Sequence, residues 1–525
     1  VPRNSSMRTQ SFSLFGNLEA SYSSKEPSLV LNACAHHPSA SARRAGIPAK
    51  DRPLHIGAFT RSWPMHAPGG MQQHAENLYS QFASRHYHCV EVFTTTLAEG
   101  KSGDTWVGFG GNLTVHFLQN TDRMAYGAYN SISAQSFATI HKMYPFDAIH
   151  SQSVAAQGML EGSYQSILNT VPMACTWHGF GYEAFRSKLN MAYMFPSQPS
   201  PEGGSHADSL ASSARGLLRE IFLFDRIPFH IAISEQSEED LIQVYHLSPS
   251  RVELIHNGVD TRVYAHRVHE REACWKMHPF ERYESNLNDD NNKDNNNIKD
   301  KNNMVVSATP ATEESMPCQR NGWRAKLHVP PEAITLGACG RLTAQKGFGL
   351  LLSVLPEVLS KWPNLHLVVA GHGQYLSLFG KYAESSSNPG HDRVHVLGKL
   401  DQTGMSDFYA GIDLLVNPTL YYQGLDLVMQ ESMMSGVPVI STSEGSVKKT
   451  LIPDDSVGRT FHISAARGLT KAIGDFVDNP AIIAPTGLAA SSRAISMFAL
   501  DTMGDNYDRH LRRLIDCTAQ GNCLE

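Results

Sequence analysis

Nowhere in these 525 residues do 18 apolar residues run together, so the sequence holds no candidate transmembrane helix. Positive charge is also short: 44 Lys and Arg face 50 Asp and Glu, and no long basic patch occurs. That argues against nucleic acid as the main partner. The eight cysteines include no Cys-x-x-Cys pair, which argues against a zinc site; their scatter fits a reducing compartment or burial as small hydrophobes. Absent too is an Asp-x-Asp at a strand end. Asp289-Asp290 and Asp454-Asp455 are adjacent pairs in predicted loops, so no metal site is expected. The first strand lacks a strict Gly-x-Gly-x-x-Gly followed by an acid, which leaves a dinucleotide-dependent oxidoreductase the weakest reading.

What remains is enough apolar residue, 41%, for two ordinary domains. Residues 1–50 are rich in Ser, Ala and His without periodicity and read as a disordered leader. The chain starts with Val, so an upstream anchor, membrane association and the choice between a cytoplasmic and an endomembrane location are left open. From Leu54 onward apolar strands alternate with amphipathic helices to about residue 265, the pattern of a doubly wound parallel sheet. Residues 286–303 are nine Asn, four Asp, three Lys and two aliphatics, which cannot bury a core. An inserted disordered segment over about 275–320 is therefore expected. A second alternating region follows over 321–485, then C-terminal helices over 486–525 that are expected to pack back toward the first domain. The fold class expected is α/β, with two Rossmann-like sheets facing across a cleft.

In such sheets ligands sit beyond the carboxyl ends of strands, and polar residues collect there. His150, His178 and Asn257 end predicted strands in the first region. Gly69-Gly70 stands between the first strand and its helix, where bare backbone N–H groups can approach a phosphate. In the second region Arg341 and Lys346 bracket a strand-to-helix turn, a pattern suited to a diphosphate. The stretch Val416 to Ser441 reads strand, loop, helix, strand, with Gln423 in the loop and Glu431 on the helix. A helix N-terminus beside a carboxylate suits a phosphate plus a vicinal diol. Each feature alone is more often a plain turn or a solvated charge; their order along one chain is what carries weight.

That order resembles glycosyltransferase family 4, the "glycosyl transferases group 1" type of retaining GT-B enzyme. GRLTAQKG (340–347), VVAGHGQ (368–374), VLGKL (396–400), FYAGIDLLVNPT (408–419) and QGLDLVMQESMMSGVPVIS (423–441) look like its nucleotide-binding half. PGGMQQHAENLYSQF (68–82), TWHGF (176–180), AISEQSEEDL (232–241) and ELIHNGVDTRVY (253–264) look like its acceptor half. The resemblance implies a metal-independent, cofactor-free transfer of a sugar from a UDP- or GDP-linked donor to a hydroxyl acceptor (a glycan, lipid or small molecule). It places Gly69 and Gly70 beside the donor phosphate, His178 near the transferred sugar and Arg341 with Lys346 on the diphosphate. Glu431 falls on the ribose hydroxyls, and Gly424 and Leu425 give backbone amides to the sugar. Gln423 stands where the family usually has a glutamate, so a carboxylate charge is missing; Glu444 to Lys449 also departs from the usual Gly-Gly-x-x-Glu. A catalytically weak nucleotide-sugar-binding or scaffold protein on the same fold is the alternative, and an epimerase a third.

Overall fold

The computed structural model describes residues 37–66, 69–97, 105–122, 126–194, 205–265, 268, 322–420, 422, 425–463, 466–521 and 523. The Asn-rich segment and residues 1–36 lie outside them. Helix α1 (Pro38–Arg44) and a short helical turn at Ala49–Asp51 precede the first sheet. The leader expected to run to residue 50 thus gives way to structure at 38. The reason is ionic: Arg43 and Arg52 both reach the buried Asp147, Arg52 at 2.6 Å, and that carboxylate also accepts from the His55 amide at 2.8 Å.

The first sheet contains β1 (His55–Phe59), β2 (Cys89–Thr95), β3 (Thr105–Gly108), β4 (Leu113–Leu118), β5 (Ala148–Gln152), β6 (Met173–Trp177), β7 (Phe229–Ala232) and β8 (Val252–Leu254). Their order is β3-β4-β2-β1-β5-β6-β7-β8, parallel except for β3 against β4. Strands β1, β2 and β5 to β7 are buried at every position, as strands covered by helices on both faces must be. The covering helices are α2 (Gly70–Ser84), α3 (Tyr126–Met143), α4 (Gly181–Met194), α5 (His206–Arg226) and α6 (Glu235–Gln243). Two 3-10 segments, Ser153–Leu160 and Gly162–Asn169, follow β5, parted at the extended Glu161, with Gly162 at φ +55.

A short helix, α7 (Thr261–Tyr264), leads out of this domain and α8 (Gly322–Lys326) leads into the next. The second sheet holds β9 (Ile334–Arg341), β10 (Leu365–His372), β11 (Val394–Gly398), β12 (Leu414–Asn417), β13 (Val439–Thr442) and β14 (Gly458–Phe461), with α9 (Phe348–Lys361), α10 (Leu376–Glu384), α11 (Gln402–Gly411), α12 (Leu427–Met434) and α13 (Ala466–Val477) around it. Its order, β11-β10-β9-β12-β13-β14, is parallel throughout. In each sheet the chain changes direction of winding beside its first strand, between β1 and β5 and between β9 and β12. Crevices open at such switch points.

Helices α14 (Ile483–Phe498) and α15 (Leu500–Gln520) complete the chain. α14 packs on α12 of the second domain, and α15 lies on α2 of the first. Leu500, Met503, Tyr507, Leu511 and Leu514 enter the core formed by Leu54, Ile56, Leu78 and Phe82. Cys517 and Cys523, at the end of α15, are joined as a disulfide, which corrects the reading of the cysteines as unpaired; their six-residue spacing matches no short motif. Cys175 and Cys339 are free and buried, as small hydrophobes are. Among the described residues no helix is long and apolar enough to cross a membrane.

Because Leu511 is fully buried against α2's domain, Leu511→Ala should cost about 2–5 kcal/mol of stability. Urea denaturation followed by tryptophan fluorescence checks it; a loss under about 1 kcal/mol would show that α15 contributes little to the first domain.

Candidate active site

At the second switch point the backbone itself makes room. Gly340 on β9 and Gly371 on β10 are register partners, both at positive φ, and a Cβ on Gly371 would lie 2.0 Å from the Gly340 carbonyl oxygen. Gly347, at φ +74, starts α9 with its Cα against Pro418; a Cβ there would sit 1.8 Å from the Pro418 oxygen. Only glycine allows the turn after β9 to nest under the turn after β12. Leu420 N then donates to Gln345 O at 2.9 Å, while Ser441 and Thr442 donate to the carbonyls of Asn417 and Thr419, each at 2.6 Å. The loop leading to α12 is thereby anchored from both sides.

The two expected cations differ in state. Arg341 ends β9 exposed to solvent. Lys346 is largely buried, with its Nζ 2.6 Å from Asp426, the residue that precedes α12. Asn417 also donates to Asp426, at 3.1 Å. The predicted pair of open cations is therefore one open guanidinium and one ammonium already tied to the start of α12. Leu425 is buried in the second domain's core, so only its backbone is available to a ligand. Gln423 and Gly424 lie outside the described residues.

Glu431, on the second turn of α12, is held by hydroxyls. Tyr409 donates to its Oε2 at 2.9 Å, and Tyr264, from the segment that leaves the first domain, hydrogen-bonds it as well. Burial pushes its carboxyl up to about 7, helped by the nearby Asp426 charge and opposed by the two hydrogen bonds. Sequence reasoning singled out Glu431 but could not see either tyrosine, which come from residues 22 and 167 positions away.

Across the cleft, Gly70 opens α2 so that a Cβ on it would stand 3.7 Å from Leu427 Cδ1, at the start of α12. The glycine turn of one domain thus faces the helix N-terminus of the other. His178, just past β6, gives its Nε2 hydrogen to Gln152 Oε1 at 2.5 Å, and the His74 ring of α2 meets it edge-on at 4.5 Å. Burial lowers its imidazole to about 4, so it is neutral at ordinary pH. Asn257 and α12 also meet, Gln430 donating to the Asn257 carbonyl at 3.5 Å. Gln430 Oε1, Asn257 Oδ1 and His74 Nδ1 are all buried without a hydrogen-bond partner. Unspent polar atoms from three elements in one crevice are what a polar ligand would satisfy.

Sequence reasoning missed α4 altogether. It follows His178 and reaches the loop before α12: Ser187 accepts from the Tyr422 amide at 2.9 Å, and Asn190 donates to Leu420 O at 3.2 Å and to Glu444 at 3.1 Å. Met191 packs with Ala344, Leu420 and Ile463 of the second domain. Within α4, the buried Glu183 carboxyl is pushed up to about 8 by burial. The signal that could have found this helix was the apolar spacing Tyr182, Phe185, Leu189, obscured by the Pro- and Gly-rich stretch that follows.

Among the described residues, the group spaced to hold a metal ion is His86, His88 and Asp508, where α15 crosses the first domain. His88 Nδ1 accepts from the Leu54 amide at 3.2 Å, so its proton sits on Nε2, which gives it to Asp508 at 2.7 Å. A metal at Nε2 would need that proton gone while Nδ1 still faces an N–H, so the arrangement suits a hydrogen-bond network better than an ion.

The model for "Glycosyltransferase Family 4" matches residues 68–263, and that for "Glycosyl transferases group 1" matches 333–479. A GDP-mannose-dependent monoacylated alpha-(1-6)-phosphatidylinositol monomannoside mannosyltransferase of Corynebacterium glutamicum is 27% identical over 214 residues, 40% of this chain and 54% of that one. The lipopolysaccharide core biosynthesis mannosyltransferase LpsB of Rhizobium meliloti is 24% identical over 204 residues, 38% and 57% of the two chains. The chain spans about half the length of the curated relatives it matches. Among solved structures, sucrose-phosphate synthase from Thermosynechococcus elongatus superposes with a TM-score of 0.63 at 17% identity, covering 88% of this chain and all of that one. Anabaena HepE with UDP and glucose gives 0.57 at 16%, covering 87% and 99%. Two parallel sheets facing across a cleft, matched on both sides by the family's two halves, make this chain a member of glycosyltransferase family 4 with the GT-B fold.

Proposed function

We propose that the protein transfers a hexose from a nucleoside diphosphate sugar, UDP- or GDP-linked, to a hydroxyl acceptor, with retention and without a metal ion. The observation that carries this reading is the placement of Gly70 opposite Leu427, with Lys346 and Asp426 at the same helix start and Arg341 at the end of the neighbouring β9. A diphosphate set there meets backbone N–H groups, a helix N-terminus, the open Arg341 and the Lys346 ammonium, which it would share with Asp426, as the leaving group departs. In that pose Glu431 takes the ribose hydroxyls, the Gly424 and Leu425 amides and Gln423 take the sugar, and His178 stands by the reaction centre. The relatives named mannosyltransferases favour a GDP-linked donor, HepE's UDP favours the other base, and the named phosphoinositide and lipopolysaccharide pathways favour a lipid-linked acceptor.

The second reading, a nucleotide-sugar-binding or scaffold protein, is favoured by Gln423 in place of a glutamate and by Lys346 being spent on Asp426. Nucleotide release measured over GDP-mannose, UDP-glucose and UDP-N-acetylglucosamine separates the two: turnover with one donor is expected. Tight binding with neither transfer nor donor hydrolysis would establish the scaffold. Arg341→Ala and Lys346→Ala should each weaken binding of the bare nucleoside diphosphate by about 1.5–3 kcal/mol, read by calorimetry, with little change in melting temperature. Affinity unchanged in both variants would remove the clamp.

The raised Glu431 carboxyl gives a pH test. Its carboxylate form dominates only above about 7, so affinity for the nucleoside diphosphate should climb as pH rises through that value, and Glu431→Gln should flatten the climb. Stability runs the other way. The native state keeps a proton that the unfolded chain loses above the ordinary value of 4.5, so this group's contribution falls as pH rises from there through about 7. Affinity that is flat with pH in the unmodified protein would place Glu431 outside the nucleotide site.

A further inference from the structure

Behind His178 runs a chain of buried polar side chains whose hydrogen bonds have a direction. Gln152 takes the His178 Nε2 proton on its oxygen at 2.5 Å and turns its amino group to Tyr79 at 3.3 Å. The Tyr79 hydroxyl is then free to donate only onward, to His150 Nδ1 at 2.9 Å. His150 Nε2 donates to Thr176 Oγ1 at 2.8 Å, and Thr176 donates to the Tyr507 hydroxyl at 2.8 Å. Tyr507, from α15, points on to His74 Nε2 at 3.5 Å, and the His74 ring returns to His178. Each interior member can donate once and accept once, and burial keeps both His150 and His74 neutral, so reversing one bond reverses them all.

The direction is set at the Gln152 end, where an amide oxygen faces His178 Nε2. At the other end His74 Nδ1 and Asn257 Oδ1 have no hydrogen-bond partner among the described residues, so nothing there opposes it. We infer that Gln152 is a positioning residue that holds His178 as its Nε2–H tautomer, in an orientation braced from the C-terminal helix through Tyr507, Thr176, His150 and Tyr79. His178 then keeps Nδ1 as an acceptor, able to take a hydrogen bond from a sugar hydroxyl and unable to give one. This use of Nδ1 rests on the transferase reading; the tautomer does not.

The titratable groups around His178 are His74 of α2, His150 of β5, Glu183 of α4 beyond the Gly179 turn, and Tyr507 of α15. All are uncharged at neutral pH, so a single introduced charge should be visible. Gln152→Glu keeps an oxygen opposite Nε2–H but adds a carboxylate, which stabilises the imidazolium. Deuterium exchange at the His178 ring C2 position, followed by mass spectrometry against pD, should show its titration moved up by roughly one unit or more. The acid limb of kcat should move up with it, because an imidazolium has no free Nδ1 lone pair. Gln152→Leu, which removes the acceptor, should lower kcat about tenfold with the donor KM little changed, as the loss of one hydrogen bond in the transition state would. An exchange profile for Gln152→Glu that overlays that of the unmodified protein overturns the inference; should that variant not fold, Gln152→Asp makes the same test. Exchange is read without substrate, so a shifted profile in a protein that transfers no sugar would sink the transferase reading and leave the positioning role standing.

Discussion

The two crossings of the chain between the sheets run side by side, and the site depends on that pairing. Val259, leaving the first domain, donates to Phe498 O at 2.8 Å, and Leu500, returning to it, donates to Val259 O at 3.0 Å. Gly258 permits the approach, since a Cβ there would lie 2.8 Å from Leu500 Cα. With the outgoing and returning strands tied, Tyr264 lies against Glu431 on one side of the crossing and Tyr507 reaches Thr176 on the other. One tether therefore braces both the proposed nucleotide end and the proposed sugar end of the cleft.

Charge in the cleft is distributed unevenly, and burial is the cause. His178, His74 and His150 are neutral, and the Glu183 and Glu431 carboxyls are pushed up to about 8 and about 7. Lys346 and Asp426 offset one another, and Arg341 is exposed. The crevice thus presents hydrogen-bonding groups at the proposed sugar end and keeps its open positive charge at the strand end, the proposed diphosphate end. In a low-dielectric space a neutral hydrogen-bonding lining costs far less to desolvate than an ionised one. The two domains also meet through hydrogen bonds, Ser446 to Ser234 at 2.6 Å, Ser406 to the Val263 carbonyl at 2.8 Å and Asn190 to Glu444, and through the Lys449–Glu239 ion pair.

Much of this architecture could be read from the sequence, because it is written in local terms. Short apolar runs alternating with amphipathic helices dictate parallel sheets, and the glycines of GRLTAQKG and VVAGHGQ mark strand ends whose turns need positive φ. The positions of Gly70, His178, Arg341, Lys346 and Glu431 at or near strand ends and helix starts followed from that alternation. Tertiary structure alone decided their chemical states. Lys346 meets Asp426 across 80 residues, Glu431 meets Tyr264 across 167, and Gln152 meets His178 through adjacent strands. The disulfide at the end of α15 was equally invisible. The physical reason is the same in each case: periodicity and turn chemistry act between neighbours in the chain, whereas ionisation, tautomer and ion pairing are set by whichever groups the folded chain brings within a few ångströms and shields from water.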